Sequence, residues 1–381
     1  MGRDGGRTLP TSQARPSPWT GGPHLTLSSS SGALARAVRV LVVTVRAIEW
    51  DLSTDRLRLL DQTRLPGETV FLDVQSVDAL VEAIQVLAVR GAPALGVAGA
   101  MGVVTAMDEA VDDNWSTEQL EEAIDRIRSA RPTAVNLAWG VDQVRPLVAE
   151  GRDAVLAAAQ QIAVDDEAAN RELSRIGVDW LLERVDRPRL RVLTHCNAGA
   201  LATAGWGTAL GLVRELAARD RLEFVYADET RPLLQGARLT AYELAEEGIA
   251  HAVQSDGAAA STIMRGLVDC AIVGSDRIAA NGDVANKIGT VSVALACQEA
   301  GIPFVVAAPW STVDVSTASG EDIEIEERSG FEVTTYAGRR VAPEATEGFN
   351  PAFDVTPASM VSAVVTERGV VEPASGGRMD G

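Results

Sequence analysis

Leu190-Arg191-Val192-Leu193-Thr194-His195-Cys196-Asn197-Ala198-Gly199 is the stretch on which the fold turns. An apolar run of strand length ends in a polar tip, and small residues follow that let the backbone turn tightly. The pattern returns at 224–227, 270–274 and 304–308, and more weakly at 251–253. Each run leads into a Gly- or Asp-containing loop and then a helical stretch. That is the βαβ signature of a parallel, doubly wound sheet. Ligands in such sheets bind at the carboxyl ends of the strands, so the loops are where chemistry is sought.

Upstream the character changes. Residues 47–50 and 58–60 read as a hairpin, and helical spacing follows over 77–90, 94–107, 117–130, 136–149 and 152–184. The 94–107 segment is small and apolar all round, the mark of a buried helix. The last segment is long enough to fall into two pieces. The predicted fold class is α/β: a mostly helical N-terminal domain (45–185), then a Rossmann-like parallel α/β domain (186–372). Residues 1–44, rich in Gly, Ser, Pro, Thr and Arg, read as a disordered extension, and 373–381 as a flexible tail.

Composition narrows the function. The formal net charge of −19 repels phosphate backbones, which argues against nucleic acid as a partner. No apolar run of the sequence reaches spanning length, so no membrane role is expected and the cytoplasm is the expected location. Cys196, Cys270 and Cys297 are odd in number and widely spaced, and His24, His195 and His251 are scattered. Neither set suggests a disulfide framework or a metal centre. Of the 34 basic residues all but Lys287 are Arg, and this bias with the strong acidity suggests a protein adapted to salt.

Lys287 survives inside Gly274-Ser275-Asp276-Arg277 and the Asn- and Gly-rich residues that follow, a segment that reads as a ligand loop. Its compact ammonium suits a phosphate or sugar oxygen in a way that a planar guanidinium does not copy. Asp276 lies just past a strand, where burial raises a carboxyl toward the acid–base range; an N-cap or an ion pair with Arg277 would explain it equally. Cys196 at a strand tip fits a thiol activated by a following helix start, or an inert buried one. Asp228 to Leu239 brings Arg231, Gln235 and Arg238 after another strand, which fits a site for a phosphorylated sugar or, more simply, a solvated turn with ion pairs, and Ser255-Asp256-Gly257 is an ordinary turn. Arg90-Gly91-Ala92-Pro93 and Arg131-Pro132 each set an arginine before a Pro-opened helix, which is either a natural anion site or an ordinary helix connection. The glycine spacing matches neither GxGxxG nor the P-loop, so no nucleotide cofactor is expected.

With Asp61-Gln62-Thr63-Arg64-Leu65-Pro66 and Asn350-Pro351-Ala352-Phe353-Asp354-Val355-Thr356-Pro357 added, the chain resembles the methylthioribose-1-phosphate isomerase family of methionine salvage, from about residue 45 to 371. The resemblance implies a homodimer acting on a small phosphorylated sugar, with Cys196 and Asp276 as the catalytic pair. It implies that Arg90, Gly91, Ala92, Arg131, Gln235, Asn286 and Lys287 bind substrate. Gly257 departs from the Asn common there. Ribose-1,5-bisphosphate isomerase and the regulatory subunits of a translation-initiation exchange factor look alike in fold. The regulatory subunits generally lack the Cys and Asp pair.

Overall fold

A computed structural model describes residues 45–381; the expectation for 1–44 lies outside the described residues. An antiparallel sheet opens the fold, formed by β1 (Ile48–Asp51), β2 (Arg56–Leu60) and β3 (Phe71–Val74). Five helices follow: α1 (Val77–Gln85), α2 (Ala92–Asp112), α3 (Thr117–Arg128), α4 (Val135–Val144) and α5 (Arg152–Arg184). Ser116 caps α3 in a reciprocal capping box with Gln119, satisfying donors that the first turn leaves orphaned.

Small residues let α2 bury itself. Gly96 and Gly99 lie against α4, where a Cβ on Gly140 would sit 2.6 Å from the Gly96 carbonyl carbon. The two backbones therefore cross in direct contact. Leu80, Leu95, Val103, Ile124, Leu137 and Val141 close the core around them. Contrary to the sequence expectation, α2 does have the length and apolarity of a membrane span, but most of it is buried inside the protein.

Two helix boundaries differ from expectation. The helix expected over 136–149 ends at Val144 and gives way to a 3-10 turn, Arg145–Glu150, since Pro146 has no N–H to continue the ladder. The helix over 152–184 is unbroken. Its first half packs Val155 and Ala159 into the helical core, and its second half lays Leu173, Val178 and Leu181 on the large sheet. One continuous element thus serves both cores.

The second half of the described chain runs β4 (Leu190–Thr194), α6 (Ala209–Ala218), β5 (Leu222–Asp228), α7 (Ala241–Glu246), β6 (His251–Gln254), α8 (Ala259–Met264), β7 (Cys270–Val273), β8 (Arg277–Ala279), β9 (Val284–Lys287), α9 (Thr290–Ala300), β10 (Phe304–Ala307), β11 (Val313–Asp314), α10 (Phe331–Thr334), β12 (Thr335–Tyr336), β13 (Arg339–Arg340), β14 (Phe353–Thr356), β15 (Ala363–Thr366) and β16 (Gly369–Val371). The seven-stranded sheet is ordered β16-β15-β10-β7-β4-β5-β6. All its pairings are parallel except β15 with β16. Counting parallel strands in chain order gives 3-2-1-4-5-6, with the direction of winding reversing between β4 and β7. Both faces are covered, which is why β7 and β10 read as continuous apolar runs.

The segment read as a ligand loop is partly a second sheet, β11-β8-β9-β14. Alternation over three or four residues was too short to announce it. The tail expected to be flexible is anchored instead. Met379 is 2% exposed, its N–H donates to the Ala280 carbonyl at 2.8 Å, and Pro373 packs where Gly282 leaves room.

Candidate active site

The reversal between β4 and β7 opens a crevice at their carboxyl ends, and a cavity of about 70 Å³ lies there. Its walls carry Cys196 from the end of β4, Asp276 from the end of β7, Asn286 and Lys287 from β9, and Gln235 from the segment after β5. Arg90, Gly91 and Ala92 at the start of α2, and Arg131 before α4, complete the set anticipated from the sequence. A second cavity of about 60 Å³ shares Gly91, Ala92, Arg131, Asp276 and Phe353 with the first.

Cys196 adopts a left-handed backbone, φ 63°, which is uncommon for a side chain with a Cβ and must be held by its surroundings. Its N–H donates to Thr230 Oγ1 at 2.8 Å, and its carbonyl accepts from Thr240 Oγ1 at 2.6 Å. The helix expected directly after it is only a 3-10 turn, Ala200–Ala202, and α6 begins at Ala209. The turn is held by Glu243, which accepts from the N–H groups of Ala200 and Leu201 and from Asn197 Nδ2. Glu243 is itself ion-paired to the buried Arg214 at 2.7 Å. All three cysteines are buried, and burial pushes the thiols of Cys270 and Cys297 well above the ordinary range.

Asp276 makes no N-cap and no pair with Arg277, whose guanidinium faces Asp314 at 3.9 Å. Burial raises its carboxyl pKa, against the opposing pull of Lys287, Arg90 and Arg131. Lys287 is pushed the other way: burial lowers its pKa, while Cys196 and Asp276 favour the charged amine. Its Nζ lies 4.5 Å from the centre of the Phe353 ring on the adjacent strand β14. Arg90 is held by Asn197, through Nη1 to Oδ1 at 3.1 Å and Nη2 to the carbonyl at 2.7 Å. Arg131 donates to Glu326 at 2.9 Å. Gly91 caps α2 with φ 96°, and a Cβ there would strike Ala202, so only glycine fits between helix and turn. Asn286 Nδ2 donates to Thr290 Oγ1, and the buried Oε1 of Gln235 has no hydrogen-bond partner among the described residues.

Arg231 and Arg238 do not line the cavity. Arg231 donates to the Val333 carbonyl and Arg238 to those of Gln62 and Leu65, so both stitch backbone segments together. The Asp256 turn is more than ordinary, since its carboxylate accepts from Thr230 and Arg231 N–H at 2.7 Å each. The sequence reading missed Arg328 and Asn197 as lining residues. Arg328 had no signal, whereas Asn197 adjoins Cys196. His195, Asp228 and Asp256 bring potential metal ligands within 4.8 Å of one another. Those atoms are engaged already, His195 Nδ1 with Asp228 Oδ2 at 3.0 Å and Asp256 with the two backbone N–H groups.

A family model described as the initiation factor 2 subunit family matches residues 88–373. The chain belongs to that family. A methylthioribose-1-phosphate isomerase of Anaeromyxobacter dehalogenans (strain 2CP-C) is 50% identical over 327 residues, which are 86% of this chain and 94% of that one. A probable bifunctional methylthioribose-1-phosphate isomerase/methylthioribulose-1-phosphate dehydratase of Nocardia farcinica (strain IFM 10152) is 54% identical. That match spans 85% of this chain but 59% of the relative's length. Among solved structures, 5-methylthioribose 1-phosphate isomerase from Pyrococcus horikoshii OT3 superposes with TM-score 0.78 at 38% identity, covering 88% and 96% of the two chains. A translation initiation factor eIF-2B delta subunit from A. fulgidus gives 0.77 at 41% identity, covering 87% and 96%.

Proposed function

We propose that the chain is an aldose–ketose isomerase that converts 5-methylthioribose 1-phosphate to 5-methylthioribulose 1-phosphate in methionine salvage. The observation that carries this reading is the meeting of Cys196 and Asp276, from the strands either side of the winding reversal, in one cavity rimmed by cationic side chains. The names of the relatives, at about half identity over most of the chain, supply the substrate. On this reading residues 45–185 and 186–372 are a helical and a Rossmann-like domain of a cytoplasmic homodimer.

The anomeric oxygen carries the phosphate, so the ring must open by cleavage of the bond between C1 and the ring oxygen. A proton goes to that oxygen, the hydrogen on C2 passes to C1, and the C2 hydroxyl gives up its proton to become the ketone. C1 is reduced, C2 is oxidised, and no outside electron acceptor is needed. Asp276, whose carboxyl pKa is raised by burial, is the donor to the ring oxygen in its protonated form. Cys196 faces the carbon that changes, where it assists proton transfer or steadies the developing oxyanion. Lys287, Arg90, Arg131 and the α2 N-terminus at Gly91 and Ala92 hold the phosphate, with Gln235 and Asn286 on the sugar.

The test is to incubate purified protein with 5-methylthioribose 1-phosphate and, separately, with ribose 1,5-bisphosphate, following the ketose carbon by ¹³C NMR. Turnover of the first is expected. Preference for the bisphosphate would reassign the substrate, and turnover of neither would remove the enzyme reading. The likeness to the A. fulgidus subunit supports a second reading, a regulatory subunit, which would bind a partner and isomerise neither sugar. Solvent deuterium at C1 of the product would mark an enediol route; its absence favours a hydride shift.

A further inference from the structure

The residue before Cys196 is more tightly held than its neighbours require. His195 is 1% exposed, with both ring nitrogens in hydrogen bonds: Nδ1 with Asp228 Oδ2 at 3.0 Å and Nε2 with the Ile288 carbonyl at 2.9 Å. A carbonyl only accepts, so Nε2 carries a hydrogen. The other oxygen of Asp228 accepts from Gln254 Nε2 at 2.8 Å; burial raises the Asp228 pKa, and its bonds to His195 and Gln254 favour the carboxylate against that. Ile288 directly follows Lys287, and Gly289 is bare because a Cβ there would lie 2.8 Å from His195 Cε1. One imidazole therefore spans from the end of β4, beside Cys196, to the end of β9, beside Lys287.

We infer that His195 is a positioning residue: doubly protonated between Asp228 and the Ile288 carbonyl, it fixes the spacing of Cys196 and Lys287 and sets a permanent positive charge in the wall of their cavity. The inference rests on the proposed role of Cys196. Carboxylates from three other segments face the ring. Asp228 at the end of β5 touches it, while Asp256, which opens the turn before α8, and Asp354 on β14 act at longer range. Burial is the largest single influence and opposes the charge on the ring, but the bond to Asp228, its charge, the Ile288 carbonyl and Asp256 together outweigh it, and the pKa of His195 lies above its ordinary value. Among the described residues no other side chain joins these two strand ends.

The unaltered protein supplies the first readout. It has three histidines, so ¹⁵N-histidine NMR is simple to assign with His24→Gln and His251→Gln variants. Both ring nitrogens of His195 are expected to stay protonated at pH 7.5. A neutral ring at pH 7 overturns the proposal. The second readout is alkylation by iodoacetamide, resolved by peptide mass spectrometry. Cys270 and Cys297 are fully buried with raised pKa values, whereas Cys196 lines the cavity, so Cys196 is the thiol expected to react fast. Asp228→Asn and His195→Gln should slow its alkylation at pH 7 about tenfold and move the alkylation pH profile upward, one pKa unit being a factor of ten in thiolate. The same variants should lower kcat about tenfold with KM within about threefold, the pattern of a misplaced reacting group. Folded variants with an unchanged profile overturn the proposal. If the protein isomerises no sugar, the function reading fails while the NMR and alkylation results still judge His195.

Discussion

Replacing Gly91 by Ala tests whether α2 and the turn after Cys196 must touch for the cavity to work. Gly91 has φ 96° and ψ 135°, a region that costs a side-chain-bearing residue about 1–3 kcal/mol. The added Cβ would also lie 2.5 Å from Ala202 Cα and 2.7 Å from its Cβ, with the Ala202 carbonyl oxygen nearer still. None of these atoms can rotate aside. Relief requires α2 to retreat from the 3-10 turn by about 1 Å, and a displacement of that size beside the chemistry costs roughly a hundredfold in rate. Arg90 would retreat too, breaking its two bonds to Asn197. Gly151→Ala is the control: Gly151 has φ 102° at the start of α5 and nothing within 4 Å of its missing Cβ, so it feels the backbone strain alone. Both variants should lower Tm by a few degrees, roughly 2–4 °C per kcal/mol for a chain of this order. Only Gly91→Ala should lose about a hundredfold or more in kcat/KM, measured by NMR of ketose formation. If Gly91→Ala stays within about threefold of the parent protein, the close approach has no bearing on catalysis and the geometric reasoning is wrong.

Cys196→Ala and Asp276→Asn should each reduce turnover by about a thousandfold or more while circular dichroism is unchanged, and near-normal activity in either removes that residue from the mechanism. Lys287→Arg keeps the charge but places a wide fork beside Phe353, so KM should rise about tenfold; an unchanged KM refutes a role at the phosphate. Asp166, a partly exposed residue whose carboxyl group is enclosed, has its pKa pushed up by burial to about 7. The folded protein therefore keeps a proton that the unfolded chain loses near pH 4, so this contribution to stability is whole below pH 4 and lost as pH climbs through 7. Asp166→Asn should flatten Tm against pH over that window and raise Tm at pH 8; an unaltered curve means the carboxyl titrates normally. Finally, Tm should rise between dilute and molar KCl, and equal values would show that the acidity is no adaptation to salt.

The sheet was legible because β4, β7 and β10 are buried on both faces and stand out as short apolar runs between helices. The cavity was legible where residues fall on strand ends, as Cys196 and Asp276 do. What was hidden depends on distant contacts. Nothing local in Glu326 or Arg328 tells that one steadies Arg131 and the other enters the cavity wall. The unbroken α5 was hidden because its two halves face different partners, so no single apolar stripe runs its length. Arg231 and Arg238 show the converse: an arginine after a strand looks the same whether it meets a ligand or backbone carbonyls, and here both meet carbonyls.

On the proposed reaction the cavity's charges do more than attract a sugar phosphate. Arg131 and Arg328 share Glu326, so part of their charge is already cancelled. Arg90 is held by neutral groups of Asn197, and Lys287 rests near a ring, which leaves both charges largely uncompensated. Lys287, Arg90 and Arg131 are also the groups that pull the pKa of Asp276 down against the effect of burial. A phosphate dianion seated on them cancels that pull and adds a negative charge of its own. Binding must therefore move Asp276 further toward its protonated form, the form able to donate to the ring oxygen. The same event favours the charged ammonium of Lys287, which burial disfavours in the empty site. Substrate charge thus adds to burial in favouring the proton donor when there is a ring to open.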